Sequence, residues 1–215
     1  MKRLLSYIIP IRLKKYQSHI NGLLEVNLTN GKLTLDSTVS NYSYGSLQKV
    51  LRRGLKEMGD LSQFKNILLL GLGGGSVIKT LRNELACQAE ITAVDIDSAM
   101  LKIAEVDFQI GQYAEIKLKE ADAAIFITET TEKYDLIIVD IFIGDTVPDV
   151  FTKPSFIHQL ITHLTAHGHV LFNTMRNSMS PETFALIQES FRQDGMNVKV
   201  LERVEVTNNV LIAKR

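Results

Sequence analysis

The order of apolar and polar side chains predicts a β-hairpin near the start of the chain. Leu24, Val26 and Leu28 share one face of an extended segment, with polar residues between them. Asn30-Gly31 follows, and this residue pair is favoured in the two-residue type I′ turns that join antiparallel strands. We therefore predict a hairpin over residues 22–36.

An amphipathic helix is predicted after the hairpin. Between residues 46 and 58, apolar residues recur three or four positions apart, which is the repeat of one helix face. The other positions include Lys49, Arg52, Arg53 and Lys56, which we expect to form a solvated face.

The apolar stretch over residues 4–9 is too short and too interrupted for a signal peptide, and no small-residue cleavage site follows it. We predict an edge strand there. The longest apolar runs elsewhere, over residues 67–72 and 136–143, fall far below the roughly 20 residues that span a bilayer. No membrane segment is expected.

From residue 66 onwards, short β-like runs alternate with helical stretches, which is typical of a parallel sheet with crossover helices. The predicted strands cover residues 66–70, 90–94, 115–118, 135–139, 169–173, 197–201 and 210–213. The predicted helices cover residues 76–85, 98–108, 121–130, 154–167 and 181–193. The last two strands are too close together for a helical crossover, so we predict that they are antiparallel. The pattern predicts an α/β, Rossmann-like fold with a mostly parallel seven-stranded sheet, in a domain over 61–215 preceded by a small β extension and helix over 1–60.

The composition indicates one folded domain without a strongly charged partner. The 215 residues include 24 Lys+Arg and 24 Asp+Glu, so the formal net charge is zero and nucleic acid is not expected as a partner. The single cysteine, Cys87, excludes an internal disulfide and fits a reducing cytoplasm. His158, His163, His167 and His169 have no nearby acid to complete a ligand set, so we predict no metal site. We expect a cytoplasmic protein that binds a small molecule and no membrane.

A glycine-rich turn carries the first indication of chemistry. The apolar strand over residues 66–70 runs into Gly71-Leu72-Gly73-Gly74-Gly75 and then into a helix, so ligand atoms can approach the backbone where no Cβ intervenes. The turn is not the dinucleotide fingerprint, because Ser76 stands where that motif has glycine or alanine.

Acidic residues follow three further predicted strands. Asp95, Asp122 and Asp140 each come at or just after a strand end. In an open α/β sheet the ligand crevice lies at the carboxyl ends of the strands. The sequence therefore predicts that these three carboxylates and the glycine turn form one site.

These residues resemble the spermidine synthase-like family of class I S-adenosylmethionine-dependent methyltransferase fold proteins. The resemblance covers nearly the whole chain. Its matching segments are Tyr16-Gln17, Gly73-Gly74-Gly75-Ser76-Val77, Asp95-Ile96-Asp97, Asp122-Ala123 and residues 134–140. It implies the class I methyltransferase fold and S-adenosyl-L-methionine as cofactor, and a homodimer is a family-level expectation.

By this resemblance, Asp95 would hold the ribose hydroxyls, Asp122 would accept from the adenine amino group, and Ile96 would pack on the adenine face. The other cofactor-binding residues that it implies are Gln17, Gly71, Gly73, Gly74, Gly75, Ser76, Ala123 and Asp140. For each acid, a solvated strand end or a helix cap is the structural alternative.

The chain departs from the family pattern on the side of the acceptor. Ser76 replaces an Asp that meets the amine of decarboxylated S-adenosylmethionine, and Tyr44-Gly45-Ser46 replaces Tyr-His-Glu. The family's Asp-x-x-Asp-Pro loop becomes a segment in which Asp145 follows Asp140 at a longer spacing before Pro148. A carboxylate at position 76 would repel the carboxylate of ordinary S-adenosylmethionine, so serine favours the ordinary cofactor.

We therefore predict a transferase, an S-adenosylmethionine-dependent methyltransferase that acts on a small molecule. Asp140 and Asp145 are the predicted catalytic residues, and Tyr42, Tyr44 and Phe142 the predicted substrate-binding residues. Asp140 either orients or deprotonates the acceptor, or only positions ligand. Two alternatives stay open: an aminopropyltransferase that uses decarboxylated S-adenosylmethionine, and a catalytically inactive nucleoside-binding or interaction protein.

Overall fold

The computed structural model of the protein describes residues 2–37, 41–43 and 46–215, with side chains for 2–37 and 48–215. Two sheets are present among them. A four-stranded antiparallel sheet comprises β1 (Ile11–Ser18), β2 (Gly22–Thr29), β3 (Lys32–Ser37) and β4 (Asn41–Ser43), in that spatial order. The β2–β3 pair closes on Asn30 and Gly31, both with positive φ, so the predicted hairpin is confirmed.

The predicted edge strand over residues 4–9 is wrong. Lys2–Leu5 form the short helix α1, and the edge strand is β1, which begins after Pro10. Ser6 explains the difference: its hydroxyl donates to the Arg3 carbonyl and accepts from the Gly31 N–H. The segment after α1 thus covers the β2–β3 turn instead of pairing with a strand.

Helix α2 (Ser46–Met58) confirms the predicted amphipathic helix. Val50, Leu51 and Leu55 are buried. They belong to an apolar layer that also includes side chains of β2 and β3 and of the large sheet, so α2 ties the N-terminal sheet to the main body.

The large sheet has seven strands, as predicted. They are β5 (Asn66–Leu70), β6 (Glu90–Asp95), β7 (Ile116–Glu120), β8 (Tyr134–Val139), β9 (Leu164–Met175), β10 (Asn197–Val204) and β11 (Asn208–Lys214). Their spatial order is β10-β11-β9-β8-β5-β6-β7. The five neighbouring strands β9, β8, β5, β6 and β7 are parallel, and β11 is antiparallel to both β9 and β10. The antiparallel C-terminal strands are therefore confirmed.

The helices of the main body are α3 (Ser76–Asn83), α4 (Ser98–Val106), α5 (Ala123–Glu129), α6 (Pro154–Thr162) and α7 (Pro181–Gln193). Apolar layers cover the sheet on both faces: Leu69 belongs to one, and Leu68 and Leu70 belong to the other. None of the helices within the described ranges is long and apolar enough to cross a membrane.

The predicted end of the helix before β9 is wrong. That helix, α6, ends at Thr162 instead of residue 167, and β9 starts at Leu164. The sequence signal was Gly168, which instead lies inside β9 where the pairing with β8 shifts register. A Cβ at this glycine would lie 2.8 Å from the Leu164 Cβ and 3.0 Å from the Tyr134 carbonyl oxygen. The glycine thus serves a strand irregularity and not a helix end.

Candidate functional site

A cavity of about 510 Å³ opens at the carboxyl ends of the parallel strands. Its wall takes residues from the ends of β6 and β9, from the segments that follow β5, β7 and β8, from α4, from the β1–β2 turn and from the start of β11. Open α/β sheets bind ligands at this edge, and the volume lies within the roughly 300–1,000 Å³ of small-molecule pockets.

The structure brings most of the predicted site residues to this wall. Those on it are Gly71, Gly73, Asp95, Ile96, Asp122, Ala123, Asp140, Phe142 and Asp145. Those off it are Gln17, Gly74, Gly75 and Ser76. Tyr44 lies outside the described residues, and only the backbone of Tyr42, in β4, is described. The ligand contacts assigned to these residues stay predictions.

Further wall residues come from parts of the chain that the sequence analysis did not connect with the site. They include Ile20, Asn21, Met175, Thr207 and Asn208. Met175 ends β9, Thr207 lies in the β10–β11 turn and Asn208 begins β11, and the order of the large sheet brings these residues to the site. Ile20 and Asn21 lie in the β1–β2 turn of the N-terminal sheet. The sequence offered little to mark these residues as part of the site: Asn21 and Asn208 are asparagines next to or at the start of a strand.

The glycine turn depends on a close approach between β5 and β8. Gly71 has φ of +88°, and a Cβ there would lie 2.2 Å from the Asp140 carbonyl oxygen. The Asp140 N–H donates to the Leu70 carbonyl. Only glycine satisfies both constraints, and it places Asp140 directly beside the turn.

Asp95 holds the glycine turn in shape from the end of β6. Its Oδ2 accepts from the Leu72 N–H at 2.9 Å, and its Oδ1 accepts from the Asp97 N–H at 3.0 Å. Burial raises the pKa of Asp95, and these backbone donors oppose that effect. The carboxylate lies on the cavity wall, where the predicted ribose contact requires it.

Asp122 caps a helix beside the cavity. One oxygen, Oδ1, accepts from the N–H groups of Ala124 and Ile125 at 2.7 and 3.2 Å, at the N-terminus of α5. The helix-cap alternative is therefore real for this residue. The cap does not exclude the predicted contact with an adenine amino group, because Asp122 also lines the cavity and the cap bonds use only its Oδ1.

Asp140 is a half-buried carboxylate that follows β8. Its Oδ1 accepts from Asn173 Nδ2 at 2.8 Å. Burial raises the pKa of Asp140 to about 6, the negative charge of Asp95 adds to the rise, and the Asn173 hydrogen bond opposes it. A carboxylate with this pKa is mostly ionised at neutral pH and is still basic enough to accept a proton.

Comparison with known proteins places the chain in a family. The family model described as "Methyltransferase domain" matches residues 61–209. The chain belongs to the methyltransferase domain family. Among curated proteins, the polyamine aminopropyltransferase of Sulfolobus acidocaldarius is 32% identical over 143 residues, which cover 62% of this chain and 46% of that protein. The chain spans less than half the length of the curated polyamine aminopropyltransferases that it matches.

Solved structures of other proteins share the fold. A probable spermidine synthase from Corynebacterium glutamicum superposes with a TM-score of 0.70 at 15% identity, covering 94% of this chain and 79% of that chain. Human methyltransferase-like protein 13, in complex with SAH, superposes with a TM-score of 0.63 at 23% identity, covering 79% and 82%. These likenesses confirm the predicted class I methyltransferase fold.

Two residues that the family resemblance assigns to the cofactor face elsewhere in this methyltransferase domain. Ser76 is the first residue of α3, and only 8% of it is exposed. Gln17 Nε2 donates to the Ser18 carbonyl, beside the β1–β2 turn. The electrostatic argument from Ser76 therefore concerns a nearly buried side chain that does not line the cavity.

The charges on the wall have one sign. Asp95, Asp122, Asp140 and Asp145 line the cavity, and the described part of the wall contains no lysine, arginine or histidine. Asp145 is exposed, and the Thr146 hydroxyl donates to its Oδ1. In a chain whose formal net charge is zero, the cavity is thus a local concentration of negative charge.

Asp97 joins the N-terminal sheet to the main body beside the cavity. Its Oδ2 accepts from Ser18 Oγ at 2.6 Å and from Asn21 Nδ2 at 2.7 Å. Its Oδ1 accepts from the Ala99 N–H and so caps α4. Because only 3% of Asp97 is exposed, these bonds hold the β1–β2 turn against the cavity.

Substitution of this carboxylate should loosen that wall. We expect Asp97→Ala to weaken binding of methylthioadenosine about tenfold and to lower the free energy of unfolding by about 1–3 kcal/mol, because buried donors lose their acceptor. Calorimetry and urea unfolding measure the two effects. Ser180→Ala is the control: it removes the α7 cap, which lies off the wall, and should cost about 1 kcal/mol with unchanged nucleoside affinity. Equal affinities for all three proteins would show that the turn does not shape the site.

Proposed function

We propose that this protein transfers an aminopropyl group from decarboxylated S-adenosylmethionine to an amine and releases methylthioadenosine. The observation that carries the proposal is the charge of the cavity wall, which contains four carboxylates and, among its described residues, no cationic side chain. The likeness to polyamine aminopropyltransferases supports it. This proposal replaces the methyltransferase prediction as the better-supported function.

The two donors differ in charge at the amino-acid end. The decarboxylated donor carries a sulfonium and an ammonium, whereas ordinary S-adenosylmethionine adds a carboxylate. Asp95 and Asp140 attract both cationic groups, but they repel a donor carboxylate, which finds no cationic side chain on the described wall. A partly dry cavity strengthens both effects, because charges are less screened there.

The acceptor side suits an amine for the same reason. Bound donor supplies a carbon activated by the sulfonium; the acceptor nitrogen bonds to this carbon, the C–S bond breaks, and its electron pair stays on the sulfur of neutral methylthioadenosine. Asp140 accepts the proton that the acceptor nitrogen loses, which its raised pKa allows. Asp145 adds negative charge at the cavity mouth for a polycationic acceptor. Alignment of the two reactants provides the rest of the acceleration.

Methyl transfer to an amine is the second candidate. The observation in its favour is that position 76 carries no carboxylate: Ser76, although it does not line the described wall, stands where the family resemblance places the Asp that meets the donor ammonium. Human methyltransferase-like protein 13, a fold neighbour, was solved in complex with SAH. The same acidic wall would accept an amine as methyl acceptor, so the donor distinguishes the two functions.

Donor preference tests the proposal. Decarboxylated S-adenosylmethionine should bind at least about tenfold more tightly than S-adenosylmethionine in calorimetry, since only the second places a carboxylate against the acidic wall. Asp145→Asn should narrow this ratio. Asp149→Asn should not, because Asp149 is exposed on the same loop but off the wall.

Product analysis completes the test. Mass spectrometry should find methylthioadenosine and an amine extended by one aminopropyl unit. Tighter binding of S-adenosylmethionine, with S-adenosylhomocysteine as product, would instead establish methyl transfer. If neither donor binds, the remaining interpretation is the catalytically inactive protein.

A further inference from the structure

We propose that Asn173 and Asn208 are positioning residues that fix the orientation and the ionisation of Asp140. The inference rests on the proposed function only in the role given to Asp140 as proton acceptor. Neither asparagine belongs to the motifs of the family resemblance. Asn173 lies in β9 and Asn208 begins β11, and each is only 1% exposed.

A directed chain of hydrogen bonds connects these residues. Thr207 Oγ1 donates to Asn208 Oδ1 at 2.8 Å, and Asn208 Nδ2 donates to Asn173 Oδ1 at 2.9 Å. Asn173 Nδ2 then donates to Asp140 Oδ1 at 2.8 Å. Every donor points towards Asp140. The chain runs from the connection before β11, through β9, to the end of β8.

The direction of these hydrogen bonds determines whether the Asn173 side chain turns its amino group or its oxygen towards Asp140. An asparagine amide has a donor and an acceptor of nearly the same shape, so its orientation depends on its partners. Asn208 supplies a donor to the Asn173 oxygen, which leaves the Asn173 amino group for the carboxylate. Because both amides are buried, an inverted amide would leave polar atoms without partners.

The amide is neutral, and this matters for the basicity of Asp140. Asp95, from β6, is the charged group that acts on Asp140, and the other charged side chains on the described wall, Asp122 and Asp145, are also acidic. Arg176, just beyond β9, is off the wall and exposed, and donates to the Val206 carbonyl. A lysine or arginine at position 173 would pair with the carboxylate and make it a weak base. An amide donor keeps Asp140 ionised near neutral pH without removing its ability to take a proton.

Asn173→Leu tests the inference. Loss of the donor should raise the pKa of Asp140 further above about 6, because burial and Asp95 then act without opposition. Carbon-detected NMR of the Asp140 carboxyl, assigned with Asp140→Asn, follows this titration in the chain without substrates. In turnover, the acidic limb of the kcat/KM profile should shift to higher pH and kcat at pH 7 should fall at least about tenfold, with KM for the donor little changed.

Thr174→Val is the matched control. Thr174 is also 1% exposed and follows Asn173 in β9, and its hydroxyl donates to the Asn209 carbonyl. This variant should lose stability without moving the pKa of Asp140. Asn208→Ala, which leaves the direct bond in place, should raise that pKa by a smaller amount and serves if Asn173→Leu does not fold.

The NMR titration separates failure of this inference from failure of the proposed function. An Asp140 pKa that is the same in Asn173→Leu, or in Asn208→Ala if that variant is used, as in Thr174→Val would overturn the inference, whatever the activity. A raised pKa in a protein that transfers no group would support the positioning role and reject the proposed function.

Discussion

Asp140→Asn is expected to lower kcat for group transfer by at least about 100-fold and to weaken donor binding by a much smaller factor, about tenfold or less, because Asp95 still attracts the cationic groups of the donor. Asparagine has nearly the same shape and still accepts the Asn173 hydrogen bond, but it cannot take the proton of the acceptor nitrogen. Steady-state kinetics and calorimetry measure the two effects. Asp145→Asn provides the comparison: its carboxylate is exposed and bonded to Thr146, so a smaller loss is expected. A larger loss for Asp145→Asn would move the proton acceptor to that residue.

The same substitution should stabilise the fold at neutral pH. Because the pKa of Asp140 is about 6 in the folded protein and lower in the unfolded chain, the folded state binds more protons between these values. The free energy of unfolding contributed by this group therefore falls as the pH rises from about 4 to about 6. Asp140→Asn removes this dependence and should unfold at higher urea concentration than the parent protein at pH 7.5. A lower urea midpoint would contradict the raised pKa.

Gly71→Ala is expected to lower the free energy of unfolding by about 3 kcal/mol or more and to abolish donor binding. The added Cβ would lie 2.2 Å from the Asp140 carbonyl oxygen and 2.7 Å from its carbon, and backbone atoms of a central strand cannot move aside cheaply. Urea unfolding and calorimetry with methylthioadenosine measure the outcome.

Gly195→Ala separates contact from conformation in that experiment. Gly195 has φ of +80°, close to the +88° of Gly71, but no atom lies within 4 Å of the position of its Cβ. It should cost only about 1 kcal/mol, from the left-handed backbone alone. Equal losses for the two variants would mean that β5 and β8 do not approach each other as closely as described.

Much of the fold was predictable because a buried parallel strand leaves a clear trace in the sequence. The apolar runs that form β5 and β8 are each followed by a residue that is not apolar and bulky: Gly71 after β5 and Asp140 after β8. Parallel register then brings such ends together without further information. That is why the wall positions of Asp95, Asp122 and Asp140 could be expected before the structure.

The failures have equally local causes. Gly168 looked like a helix end because glycine is common there, but the same residue also serves where a strand must pass close to its neighbour. Ser76 follows the glycine turn in sequence, but in the structure it is the nearly buried first residue of α3 and does not line the cavity. Asn173 and Asn208 lie 35 residues apart and belong to no motif, so their contact could not be inferred from one sequence.

The place of β11 between β9 and β10 has a consequence for how the protein is made. The cavity wall needs Ile20 and Asn21 from one end of the chain and Thr207 and Asn208 from the other. During synthesis residues emerge in order, so the cavity stays incomplete until residue 208 has emerged from the ribosome. Contacts of such long sequence separation also predict slow folding. A nascent chain should therefore bind no donor, and binding competence should arise in one late step.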